Sequence, residues 1–585
     1  MNHRRKNHLG TNHRPMNHLG LAALGAVLIL ASACHKNAAP ESPKPDAHAM
    51  HGAAPSATDN TLADVQPDGT TAPLFHGIGP LHVPISTKSE QAQKYFDQGF
   101  TLMYGFNHAE AIRSFKEAAR LDPNCAICWW GVALSYGPNI NQPMRPEAIP
   151  LAWQALQTAQ SLKADASPKE QAYIDAVAAR YTESGADRAQ LDRAYADAMA
   201  KLVAAYPDDL DAATLYAESL MDLSPWDYYE KDGKTPKPDT VIAIAQIERV
   251  IKANPQHPGA LHFYIHAVEA TPTPERAEAA ADELGDLVPV AGHLVHMPAH
   301  IYLRVGRYHD AVTANELAAA ADEDYIAQCN AQGFYPAVYY PHNLHFLWYA
   351  AMMEGQKKLS LDTARKMAEH VPLDFARTTP EVQQYVPVPI YTLVRFGMWD
   401  DMLAEPAPAD GLPFATAMWH FGRGMAYARK GDMDKANEEL KALQSASNLG
   451  ATVAIQGKPE IINGMIAIAT DLVTAAIANA HADHATEVAA LEDAVKKQDA
   501  LQYTEPPYWF YPVRQSLGAA YLRAKRPVDA QRVFNEDLAY FKNNGWSLWG
   551  LGEAVAAQGQ DAAKTRDAFK VAWQYADMPS GQVLN

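Results

Sequence analysis

Seven histidines fall in three short runs between residues 259 and 353. The runs read GALHFYIHAVEA, GHLVHMPAHIYLRVGRYHDA and PHNLHFLWYAAMMEG. They carry His262 and His266, then His293, His296 and His300, then His342 and His345. Spacings of three and four residues place side chains on one face of a helix, about one turn apart. Imidazoles so placed can ligate one ion, and helices packed roughly 8–10 Å apart let rings from neighbours converge. Glu269 would supply an oxygen ligand or hold a ligating ring in place. The chemistry is that of a transition metal, with Cu, Zn, Fe or Mn suited to imidazole and carboxylate donors. Seven rings exceed one tetrahedral set, so two ions, or supporting histidines, are implied.

The familiar catalytic spellings are missing. In His262-Phe-Tyr-Ile-His266, Phe263 stands where a zinc protease helix carries its Glu base. No Glu-x-x-His pair of the di-iron bundle type occurs, and His266 and Glu269 run in the opposite order. The sequence offers no nucleophile elbow, P-loop or dinucleotide fingerprint. Metal binding is therefore legible, and catalysis and substrate are not.

The elements that must position these rings are helical hairpins. The segment AQKYFDQGFTLMYGFNHAEAIRSFKEAARLDP places Gly99, Ala111, Phe115, Ala118 and Pro123 at the fixed intervals of a 34-residue unit. It resembles the tetratricopeptide repeat. Small residues let two helices approach, aromatics fill the gaps, and Pro stops the second helix. The pattern recurs through Gly306, Tyr308 and Ala311, through Gly424, Tyr427 and Gly431, and through Gly518, Tyr521 and Ala530. The resemblance covers about residues 89 to 580. It implies an all-α tetratricopeptide-like solenoid of roughly nine or ten helix pairs. Residues 86–375 would form an N-terminal array and 376–585 a C-terminal one.

In that family, positions 2, 5, 9, 12 and 13 of the first helix of each unit line the concave groove. Registers set by Pro, Gly and Ala put all seven histidines at positions 2, 5 or 9 of units starting at Pro258, Gly292 and Pro341. Histidine makes up only 23 of 585 residues, so chance placement is a poor account. The resemblance places Glu218, Tyr349, Met352 and Met353 as groove neighbours, the Met pair favouring copper if a thioether reaches in. The aromatic stretch Phe334, Tyr335, Tyr339 and Tyr340 would fold over the groove. Two other readings of the imidazoles stay open: a pH-responsive pocket for a peptide or small anion, and a structural polar network. A non-catalytic scaffold holding a protein, peptide or small ligand is the alternative function that the resemblance implies.

The ends of the chain give an address. Arg4, Arg5, Lys6 and Arg14 precede an apolar run from Leu21 to Ala33, too short to span a bilayer comfortably. Residues 1–33 read as a signal peptide. Ala31-Ser32-Ala33-Cys34 resembles a bacterial lipobox, which would lipidate Cys34, with Ala31 where Leu is usual; plain cleavage would give a soluble periplasmic protein. The chain thus resembles exported bacterial tetratricopeptide lipoproteins. Residues 34–85, rich in Pro, Ala and His, read as a disordered linker. Membrane contact is expected through the lipid anchor alone. A formal net charge of −18 argues against nucleic-acid binding. Cys125 and Cys128 are expected to form a disulfide or redox pair in an oxidising compartment, and the lone Cys329 to be an inert thiol.

Overall fold

The structure is a computed structural model that describes residues 70–331 and 333–583. The leader, Cys34 and residues 34–69 of the expected linker lie outside the described residues. Among the described residues every regular element is helical, and strand-like pairing is confined to isolated bridges such as Tyr229 with Pro236. The architecture is tetratricopeptide-like.

The first hairpin shows why this sequence builds such units. Ser89 caps the helix Glu90–Tyr104 by accepting from the Ala92 amide, and Asn107 caps His108–Leu121 by accepting from Glu110. The Phe115 ring fills the space where a Cβ would project from Gly99, at 2.9 Å, or from Gly131 on the next helix, at 2.7 Å. Glycine at both positions is therefore what lets three helices close on one aromatic ring. The device repeats near the other end, where Phe534 occupies the space beside Gly518 and Gly550.

Residues 70–85 are not free linker. The Phe75 amide donates to Gln98 Oε1 at 2.7 Å, Val83 to Asp97 at 3.0 Å and Ile85 to Gln93 at 3.0 Å. Side-chain acceptors on the first helix, of which Gln98 is fully buried, hold this strap in place. The composition signalled only its lack of periodicity, not its partners.

Three further features bear on the site. The histidines of the second run stand on two short helices, Gly292–His296 and Pro298–Val305, with Met297 between them. The helix expected from Pro341 begins at Phe334 and runs to Glu354, with Pro341 inside it. The aromatic stretch before His342 forms its first turns, from which Tyr339 packs on His293 with ring centroids 4.7 Å apart and Tyr335 accepts from the His293 amide. Late segments also return to the middle of the chain. Trp546 Nε1 donates to the Met352 carbonyl at 3.1 Å, and the Met578 amide to Gly355 at 3.3 Å. Both contacts fall at the C-terminal end of the helix that carries His342.

The helix Pro459–Ala480 is long and apolar enough to cross a membrane by length and composition, but most of its apolar window is buried inside the fold. Cys125 and Cys128 form a disulfide at the start of the helix Ala126–Ser135. Cys329 is buried and free.

Candidate metal centre

The three histidine runs converge on one buried cluster. His262, His266 and His293 bring one ligand atom each within 4.8 Å of one another, and so do His296, His300 and His342. A third group within that limit joins Glu269, His300 and Glu505. His262 and His296 are fully buried, and His266, His293 and His300 are at most 2% exposed.

What turns the rings inward is a set of acceptors behind them. His262 Nδ1 lies 2.6 Å from the Tyr104 carbonyl, to which it donates. His296 Nδ1 lies 2.6 Å from Asn315 Oδ1, and Asn315 Nδ2 is itself committed to the Ala311 carbonyl at 2.7 Å. His266 Nδ1 faces Glu269 Oε1 at 3.0 Å. His300 Nδ1 contacts the other Glu269 oxygen and Glu505 Oε2, the latter at 3.2 Å. Protons assigned to these Nδ1 atoms leave four Nε2 atoms pointing away from the acceptors. His262 Nε2 stands 3.2 Å from His293 Nε2, and His296 Nε2 stands 3.0 Å from His300 Nε2. His266 Nε2 makes no hydrogen bond. Backing of this kind fixes the tautomer and orientation that a metal-ligating imidazole requires.

Two phenylalanines wall the cluster. Phe106 packs on His262, His266 and His293, with ring centroids at 4.6, 6.1 and 5.5 Å. Phe346 packs on His296, His300 and His342 at 4.5, 4.4 and 4.9 Å. Phe106 holds φ at 57° and Trp226, whose ring lies 5.1 Å from that of His266, holds φ at 62°. A bulky residue in the left-handed region is costly and persists only where the surroundings force it. Both of these border the cluster. Beside His266 a cavity of about 240 Å³ is lined by Trp226, Tyr228, Tyr229 and Tyr503. His266 itself lines it.

Burial, followed by the neighbouring imidazoles, holds His262, His266, His293 and His296 well below their usual pKa. They are neutral, the form that binds metal. Burial opposes charge on His300 as well, yet Glu269 and Glu505 outweigh it and push this ring up to about 9. Burial raises the Glu505 carboxyl above its ordinary value.

Six of the seven histidines and Glu269 thus meet as the sequence implied. His345 does not. It is half-buried, stacked on Trp348 at 5.3 Å and set edge-on to Tyr385 at 5.4 Å, because three residues on from His342 the helix has turned its side chain towards the neighbouring aromatic layer. Met352 and Met353 are fully buried in the core. Tyr349 is buried near Tyr308, Asp537 and Arg395. Glu218 lies instead with Asp222 and Arg180, where burial and then the Asp222 charge raise its pKa; Arg180 donates to Asp222 at 2.6 Å. Glu505, Asn315, the Tyr104 carbonyl and both phenylalanine walls were missed. Glu505 arrives from a loop some two hundred residues away, and nothing local in the sequence marks it.

No protein-family model and no curated protein matches the chain. Among solved structures, the human IFIT1 dimer with m7Gppp-AAAA is similar at 13% identity over 84% of this chain and 91% of that one, with a TM-score of 0.30. Yeast Tom70 is similar at 10% identity over 85% and 94%, with a TM-score of 0.26. The P58(IPK) TPR domain gives 12% over 84% and 96%, with a TM-score of 0.19.

Proposed function

We propose that this protein binds transition metal through the buried cluster, with one ion held by His262, His266 and His293 and a second by His296, His300 and His342. The observation that carries the reading is the convergence of these rings in two buried triads, with the Nδ1 atoms of His262, His266, His296 and His300 turned to Tyr104, Glu269, Asn315 and the Glu269–Glu505 pair. Neutral nitrogen donors in threes suit Zn or Cu best, with Fe and Mn favoured more where Glu269 or Glu505 turns to ligate. Three protein donors leave a coordination position, which is the arrangement of an exchangeable or reactive ion. Imidazole ligands and apolar walls would then set the ion's acidity and potential.

The alternative is a scaffold that binds a protein, peptide or small ligand, and the tetratricopeptide-like fold supports it. The cluster favours metal because these rings are shut away from any peptide laid on the surface. We also propose export, with Cys34 as lipid attachment site. The Cys125–Cys128 disulfide fits an oxidising compartment.

Elemental analysis of protein purified without chelator or affinity nickel tests the reading. The expected result is near two ions per chain, with His262→Ala/His293→Ala and His296→Ala/His300→Ala each losing one. Metal at background in the folded parent protein would overturn it.

A further inference from the structure

A second built site lies far along the chain from the histidines. Arg395, Arg429 and Arg523 line one cavity of about 80 Å³ with Tyr511, Gln515 and Ser516. That volume has room for one small polyatomic ion.

The charges there do not balance. Arg523 is paired, donating to Glu487 through Nε at 3.0 Å. Among the described residues, Arg395 and Arg429 have no carboxylate within ion-pair distance. Arg395 is half-buried; its guanidinium stacks over the Trp546 ring at 3.5 Å and lies 4.7 Å from that of Tyr511. One of its nitrogens donates to Gln515, and its buried Nε has no partner. The buried acid whose charge reaches Arg395, Asp537, accepts through Oδ2 from Ser547, Gln515 and Asn544 and forms no ion pair with it. Arg429 is exposed at the rim and makes no hydrogen bond. Tyr511 lies within the field of both Arg395 and Arg429, its hydroxyl 2.9 Å from Ser516 Oγ.

Three guanidiniums gathered on one small cavity repel one another. In a chain of net charge −18 such a gathering is not a by-product of composition. Planar guanidinium forks match the oxygen pairs of phosphate, sulfate and carboxylate, and stacking on an aromatic ring fixes the fork in advance. The hydroxyls of Ser516 and Tyr511 add neutral donors at the same place. We propose that this cavity binds a small free oxyanion, with the Arg395 and Arg429 guanidiniums supplying the two uncompensated charges. The inference does not depend on the metal reading.

Equilibrium dialysis of the chelator-treated full chain against radiolabelled inorganic phosphate tests it, with sulfate and acetate as competitors. The expected result is saturable binding of one phosphate per chain that weakens as salt rises. Arg429→Gln removes an exposed side chain with no hydrogen bond, so folding survives; phosphate affinity should fall about tenfold or more. Arg395→Lys keeps the charge but loses the fork and should also weaken binding. Displacement by sulfate in preference to acetate would assign a tetrahedral headgroup, and the reverse order a carboxylate. Failure of all three ions to bind below about 10 mM would overturn the proposal. So would unchanged phosphate binding in both variants.

Discussion

His296 and His300 bring their Nε2 atoms to 3.0 Å while turning their Nδ1 atoms to opposite anchors, Asn315 for one and the Glu269–Glu505 pair for the other. One anchor is neutral and the other anionic. Two rings one helical turn apart thus differ in charge preference while sharing a focus.

Asn315 is therefore a test of orientation without ligation. Its side chain is fully buried and reaches His296 only through Oδ1. Asn315→Leu keeps the volume, removes the acceptor and frees His296 to take the other tautomer. Metal affinity at the second triad should fall 10- to 100-fold, the usual consequence of losing such a partner. Asn315→Asp keeps an acceptor and should retain the metal. Competition with a chromophoric chelator reads both, and equal affinity in Asn315→Leu would show that the contact orients nothing.

The histidine cluster should contribute most to the stability of the metal-free protein near pH 6.5. The four rings held below their usual pKa stay neutral in the folded chain and gain protons first in the unfolded chain. Stability from each is full above about 6.5 and is lost as pH falls, by about 1.4 kcal/mol per pH unit per ring within the window. His300 has the opposite sign. Its folded pKa of about 9 lies above the unfolded value, so its contribution is full below about 6.5 and is lost as pH rises to about 9. A thermal-unfolding series across pH, run on chelator-treated protein, should show steep loss on the acid side and a shallower loss on the alkaline side. A flat acid limb would contradict the burial of neutral rings.

Glu505 separates the alkaline limb from the rest. Glu505→Gln leaves Glu269 as the only carboxylate at His300. The ring's pKa should drop from about 9, and the alkaline loss of stability should begin at lower pH while the acid limb stays put. Loaded with metal, the variant should also show a smaller rise in Tm than the parent, since weaker binding stabilises less. Identical profiles would place Glu505 outside the site's electrostatics.

The helical hairpins and six of the seven site histidines were legible because both obey short periods. Gly99, Phe115 and Gly131 recur at fixed intervals, and the histidines sit three and four residues apart. His345 obeyed the same spacing and still turned away, because spacing sets a face and not the depth at which a neighbouring helix meets it. Glu505 and Asn315 were not legible. Each reaches the cluster through tertiary packing, Glu505 from a loop whose own sequence reads as a connection between repeats. The strap at residues 70–85 was misread for a related reason: its stability comes from Gln93, Asp97 and Gln98, which lie outside it.

Scaffold and site can be pulled apart at Gly131. A Cβ there would stand 2.7 Å from the Phe115 ring, which is itself fully buried and pressed against Gly99 on its other side. The ring has no open side to move into. Overpacking of this kind costs about 1–3 kcal/mol, against which Gly→Ala within a helix returns about 1 kcal/mol. Gly131→Ala should therefore destabilise the protein by about 1 kcal/mol net, and Gly550→Ala, facing Phe534 at 2.2 Å, by at least as much. Neither glycine touches the histidines, so metal stoichiometry should be unchanged at a temperature where both variants are folded. Chemical denaturation and elemental analysis of the same samples would show it. Loss of metal with intact folding in either variant would mean that the repeat packing, and not the anchors behind the rings, sets the geometry of the cluster.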